Sequence, residues 1–71
     1  LGDYDYAVAV LSEVVELRPE VALFNYHLGM AYYHRGDKGK ALDYLSRAVG
    51  DEFEYDGVEE ARAVYRELGG R

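Results

Sequence analysis

Two histidines, His27 and His34, and three late glutamates, Glu59, Glu60 and Glu67, are the side chains that could carry proton or metal chemistry. Histidine is a common metal ligand and the side chain whose charge changes nearest neutrality. In a helix, His27 and His34 stand two turns apart, roughly 10 Å along the axis. They share a side but cannot hold one ion together. A metal site would need a third ligand such as Asp37, and no cysteine is present to supply a thiolate. Glu59 and Glu60 are adjacent on a helix and point in different directions, so they make a poor carboxylate pair. There is no nucleophile motif, no glycine-rich phosphate loop after a strand and no Cys/His cluster. These residues imply neither an enzyme nor a cofactor. The glutamates read as a solvated face.

The elements that would position them are helical. After Asp3, a good cap, the residues Ala7, Val8, Leu11, Val14 and Val15 recur at three- and four-residue spacing, which predicts a helix from Tyr4 to Leu17. Arg18-Pro19 ends it, and Pro19 can open the next helix, expected from about Glu20 to Arg35. That second helix is apolar on two sides. Leu28, Tyr32 and Asn25 fall on one, and Leu23, Tyr26, Met30 and Tyr33 on the other, which marks an interior helix. Gly29 in its middle costs roughly 1 kcal/mol against alanine; its use would be close approach of another helix, with Ala41 as the small residue facing it.

Gly36 reads as a left-handed cap and Asp37 as the cap of a third helix, Lys38 to Val49, with Ala41, Leu42, Leu45, Ala48 and Val49 buried. Asp43 and Arg47 are spaced for a surface pair. An acidic connector follows, with Phe53 turned inward. Asp56-Gly57-Val58-Glu59 resembles a capping box before a fourth helix that buries Ala61, Val64, Tyr65 and Leu68 and stops at Gly69-Gly70.

Seventy-one residues allow one domain, and a core this small is marginal without a staple or a neighbour. The net charge of −6 repels phosphate backbones and makes nucleic acid an unfavourable partner, while basic protein segments suit it. No apolar run reaches membrane-spanning length, so no membrane partner is expected. The lack of cysteine fits a reducing compartment such as the cytoplasm. The chain does not open with methionine and reads as an excised or processed piece.

Gly2-Asp3-Tyr4, Ala7 and Leu11 match Gly36-Asp37-Lys38, Ala41 and Leu45 at a constant offset of 34 residues. That is the period of a helix–turn–helix repeat. Leu28-Gly29, Tyr32, Ala41, Leu45 and Ala48 follow in the order and spacing of the tetratricopeptide repeat, and the chain resembles that family. Gly36-Asp37 matches its inter-helix turn and Pro19 its closing proline. Asn25 stands where tryptophan is common, Val14 replaces an alanine and Phe53 the second closing proline. In the last helix Ala61, Arg62 and Tyr65 take the places of Leu, Gly and Tyr at a spacing one residue short.

The resemblance implies an all-α array of four antiparallel helices, a fragment of a right-handed superhelix. Residues 1–20 would be the second helix of a first unit, 21–54 one complete unit and 55–71 a terminal helix. In this phase the outer helices keep apolar faces, so the chain is expected to self-associate or to come from a longer array. The resemblance also implies a non-catalytic protein-binding module whose first helices line a concave groove. Leu23, Tyr26, His27, Met30, Tyr33 and His34 would lie there, with Tyr26 and Tyr33 the most exposed and Leu23 the most buried. One version of the family grips a C-terminal carboxylate with lysines, arginine and asparagines. Tyr26, His27, Met30, Glu59, Glu60 and Ala63 do not reproduce that pattern, so a neutral or basic ligand is expected. The alternative is a homo-oligomeric scaffold built through the end helices.

Overall fold

The computed structural model of the protein describes residues 3–70. Four helices follow one another: α1 (Tyr4–Leu17), α2 (Ala22–Arg35), α3 (Lys38–Ser46) and α4 (Val58–Glu67). No strand occurs among the described residues. The turn expected at Leu1-Gly2, and Arg71, lie outside them.

α1 spans the residues its periodicity predicts, and Asp3 Oδ1 accepts the Tyr6 N–H at 3.3 Å. α2 begins later than expected. Pro19 sits in the turn, and Val21 is the N-cap without a side-chain acceptor to offer. Asn25 braces this turn instead, its Nδ2 donating to the Pro19 carbonyl at 3.0 Å and the Val21 carbonyl at 3.1 Å.

At the other end of α2, Gly36 adopts φ +98°. The Asp37 N–H reaches the Tyr32 carbonyl at 2.9 Å and the Gly36 N–H the Tyr33 carbonyl at 3.1 Å. This is a Schellman stop, and only glycine takes that φ cheaply. Asp37 begins α3 by position, but its side chain makes no cap bond. The carboxylate is held by Arg35, whose Nη1 also reaches Asp5 at 3.0 Å on α1.

α3 stops at Ser46, short of the expected Val49. The Arg47 and Ala48 N–H groups bond three residues back, to the Tyr44 and Leu45 carbonyls, and tighten the last turn. The expected capping box before α4 is also absent. Gly57, at φ +109°, is the N-cap and no side chain caps the helix.

α2 is interior, as its two apolar sides require. On one side Leu28, Ala31 and Tyr32 pack with Val8, Val15 and Ala41. On the other Ala22, Tyr26 and Met30 pack with Leu45, Ala48, Ala61 and Val64. Leu28 and Leu45 are wholly buried, each worth roughly 1.5–3 kcal/mol. Between the two sides sits Gly29, and the residue against it is Leu45, not Ala41. A Cβ on Gly29 would lie 2.8 Å from Leu45 Cγ, 2.9 Å from Cδ2 and 3.3 Å from the backbone nitrogen.

Gly29→Ala therefore sets a helix-propensity gain of about 1 kcal/mol against overlap with a side chain that has no room to yield. Overpacking of this kind costs about 1–3 kcal/mol, so the expected result is no gain or a net loss of stability. Urea unfolding followed by circular dichroism measures it; a variant more stable by the full propensity gain would show that Leu45 can retreat.

Candidate functional site

The six residues singled out on α2 do not share one environment. Tyr26 is buried, 9% exposed, and Met30 is buried beside it. Both belong to the core shared with α3 and α4. The expectation that Tyr26 is among the most exposed is corrected, as is the placing of Leu23 as the most buried: Leu23 is only half-buried. The cause is α4, which covers the middle of α2 and leaves its first turn more open. Tyr33 is half-buried, and His27 and His34 are exposed.

Tyr26 is the most connected side chain of the group. Its ring meets those of His27 and Tyr55 at 5.0 and 5.4 Å. Its hydroxyl donates to Glu60 Oε1 at 2.6 Å. It also presses on the start of α4, where a Cβ on Gly57 would fall 2.6 Å from the hydroxyl. Gly57 is thus needed for its left-handed backbone and for Tyr26 above it. Two turns further along, Tyr33 repeats the arrangement, its hydroxyl donating to Glu67 Oε2 at 2.8 Å. Both bonds join residues 34 apart. They stitch the long edge where α2 and α4 run side by side. Glu60 and Glu67 were read from sequence as members of a solvated face; the offset from the two tyrosines was the signal that pairs them.

His34 stacks on Tyr4 of α1 at 5.3 Å and meets Tyr33 edge-on at 5.4 Å. It belongs to the far end of the same surface. The two histidines remain apart, and among the described residues no three His, Asp or Glu side chains gather as a metal site would require.

Arg62 is the residue whose role the sequence concealed. It stands where the repeat pattern asks for glycine. Its guanidinium closes the connector, with Nη2 donating to the Gly50 carbonyl at 3.1 Å and the Phe53 carbonyl at 3.4 Å, and Nε to the Val49 carbonyl at 3.4 Å. Nη1 pairs with Glu59 at 3.1 Å. Tyr55 adds a bond from its hydroxyl to the Ala48 carbonyl. Arg62, Tyr65 and Arg66 line a cavity of about 180 Å³ with Val49 and Asp51. By helical spacing it opens on the opposite side of α4 from Glu60 and Glu67, and it falls below the roughly 300–1,000 Å³ typical of small-molecule sites.

The Glu60 carboxylate, by accepting the Tyr26 hydroxyl proton, pushes that phenol up to about 12, with burial adding to the effect. The folded value is raised, so its contribution to stability is full below the ordinary phenol range near 10 and is lost as pH climbs towards 12. A two-unit shift corresponds to about 2–3 kcal/mol. Tyr26→Phe should lower stability at neutral pH by about 1–2 kcal/mol. It should also flatten the alkaline fall in melting temperature between pH 10 and 12. An unchanged alkaline profile in the variant would assign that fall to other groups.

Residues 1–57 of the chain match a family model described as tetratricopeptide repeat. Comparison with curated proteins and with solved structures gives no match. The matched region takes in α1, α2, α3 and the connector, and the 34-residue offset between Asp3 and Asp37, the caps of α1 and α3, recurs within it. The chain belongs to the tetratricopeptide-repeat family.

Proposed function

We propose that the protein is a non-catalytic module that binds a protein or peptide segment in a concave groove formed by α2 and α4. Members of the family generally mediate protein–protein interaction and are typically non-catalytic. The observation that carries the reading is the aromatic surface still accessible along α2. Tyr33 and Leu23 are half-buried and His27 and His34 are exposed, while Tyr26 and Met30 form the floor beneath them. Aromatic rings offer large contact area at low entropy cost. With a net charge of −6 and Glu60 and Glu67 on the rim, a neutral or basic segment suits the groove better than an acidic one or a nucleic acid. Among the described residues no helix is long and apolar enough to cross a membrane. In this reading residues 1–20 contribute the second helix of one unit, 21–54 a complete unit and 55–71 a terminal first-type helix.

A second reading is self-assembly, favoured by α1. Tyr6, Val10 and Leu17, at 71%, 42% and 79% exposure, line one stripe of that helix. Ala7, Leu11 and Val14 beside it are only half-buried, whereas Ala41, Leu45 and Ala48, their counterparts 34 residues on, are wholly buried. A second copy covering this stripe would do so by a two-fold α1–α1 contact. Head-to-tail stacking in the repeat geometry meets Arg62, which occupies the place Gly29 takes in the α2–α3 pair.

Peptides selected from a random library should shift the backbone resonances of Leu23, His27, Tyr33 and His34. Tyr33→Ala should weaken their binding by about tenfold with the helical content intact. Undiminished binding, or shifts confined to α1, would move the site off the groove. For the second reading, light scattering over a wide concentration range should show a dimer that Leu17→Glu returns to the 8.0 kDa monomer. A monomer at every concentration would exclude assembly through this stripe.

A further inference from the structure

The structure holds one kind of helix seat twice, once filled and once open. The filled seat receives α2. Its base is Ala41, Leu45 and Ala48 of α3, all wholly buried, with Leu45 against the bare backbone of Gly29. Its wall is α4, where Glu60 and Glu67 accept the hydroxyls of Tyr26 and Tyr33. One unit earlier the base recurs as Ala7, Leu11 and Val14 of α1, 34 residues back, with only Val14 for Ala48 changed in size. The wall recurs as α2. Gly36 and Gly69 end α2 and α4 at the same left-handed turn, 33 residues apart, and that register sets His27 and His34 where Glu60 and Glu67 stand. Base and wall adjoin. His34 stacks on Tyr4 at 5.3 Å, and Tyr4, Ala7, Leu11 and Val14 follow at helical spacing along one side of α1. No helix fills this second seat among the described residues, since α1 packs on α2 alone. Its base is half-buried, both histidines are exposed, and among the described residues neither imidazole is in an ion pair.

We propose that the open seat receives one helix of a partner protein, with a glycine facing Leu11 and carboxylates three residues before and four residues after that glycine facing His27 and His34. The glycine follows from the filled seat, where a Cβ on Gly29 would lie 2.8 Å from Leu45 Cγ. The carboxylates follow from the change of chemistry on the wall. Glutamates accept, so α2 brings them hydroxyl donors from Tyr26 and Tyr33, three before and four after Gly29. An imidazole carries an N–H donor whether neutral or charged, so the partner has to bring acceptors, and a carboxylate gains charge assistance when the ring is protonated. The two contacts stand seven residues apart on both helices, two turns and about 10 Å, so they form together. A second copy of the chain is a poor occupant. Its α2 is interior, and its α4, in the same register, would set Arg62 against Leu11 and Arg66 against His34. Arg62 is in any case engaged with the connector carbonyls.

The test is titration of the isotope-labelled protein with three stapled helical peptides of 14 residues, the length of α2. The first carries glycine at its eighth position and glutamates at its fifth and twelfth, the places of Gly29, Tyr26 and Tyr33 in α2, with alanine and leucine elsewhere on that face. The second has leucine for the glycine, and the third has lysines for the glutamates. The first peptide is expected to shift the resonances of Leu11, Val14, His27 and His34. It should bind about tenfold tighter than the second and about fivefold tighter than the third. Leu11→Ala should let the second peptide bind as well as the first. His27→Glu, at an exposed position, should reverse the preference between the first and the third. If circular dichroism shows that Leu11→Ala loses its helices, that reversal decides alone, and its absence overturns the seat. Equal binding of the first two peptides to the unaltered protein would also overturn it. So would no binding, shifts confined to α2 and α4, or a dimer of the protein itself that shields Leu11 from every peptide.

Discussion

Everything else in the fold is arranged around the approach of α2 to α3 at Gly29 and Leu45. A side chain at 29 would meet Leu45 at both its branch and its backbone, so the helices come as close as they do because nothing is there. The neighbours of Gly29 then take opposite duties. Leu28 turns towards α1, and Met30 turns towards α4. One interior helix thereby serves two cores: α1 is held by α2, and α4 by α3 and α2. In a chain of 71 residues this sharing matters, because small domains bury a modest fraction of their surface and have little stability in reserve.

α4 is the structural counterpart of α2, but in a register of 33 rather than 34. Both helices end in the same way. Gly36 and Gly69 take φ +98° and +101°, and the Asp37 and Gly70 N–H groups return to the Tyr32 and Tyr65 carbonyls. The buried Asn25, Leu28 and Ala31 find their equivalents in Val58, Ala61 and Val64. The change of register comes from the connector, whose closing proline is replaced by Phe53 and whose backbone is tied down by Arg62 and Tyr55. It also means that contacts across the seam run 34 apart while equivalent positions run 33 apart. Tyr26 thus touches Glu60, the counterpart of its neighbour His27. The offset is what a side-by-side pair of helices requires, since each side chain reaches past its equivalent to the next one along.

Much of this was legible in the residues. The spacing of Ala7, Leu11 and Val15 set the bounds of α1, and Gly36 and Gly69 marked where α2 and α4 stop. The two-sided pattern of α2 announced an interior helix, because an apolar residue on both sides has to be covered twice. The starts of helices were read less well. Asp37 and the Asp56-Gly57 pair look like caps by type, yet Arg35 outcompetes the backbone for Asp37, and Gly57 is dictated by Tyr26 pressing on it. On α2 the faces were legible and the exposure of each residue was not. Periodicity sorts residues onto a face, but how deeply each is covered depends on where α4 lands, and α4 departs from the repeat pattern at Arg62.

The tyrosines of α2 tie this last helix to the rest of the array. The bonds from Tyr26 and Tyr33 to Glu60 and Glu67 help to hold α4 against α2. Tyrosine suits this double duty because its ring fills the seam while its hydroxyl supplies the donor. Phenylalanine would keep the packing and release the carboxylates; glutamine at either glutamate would keep the bond and remove the charge.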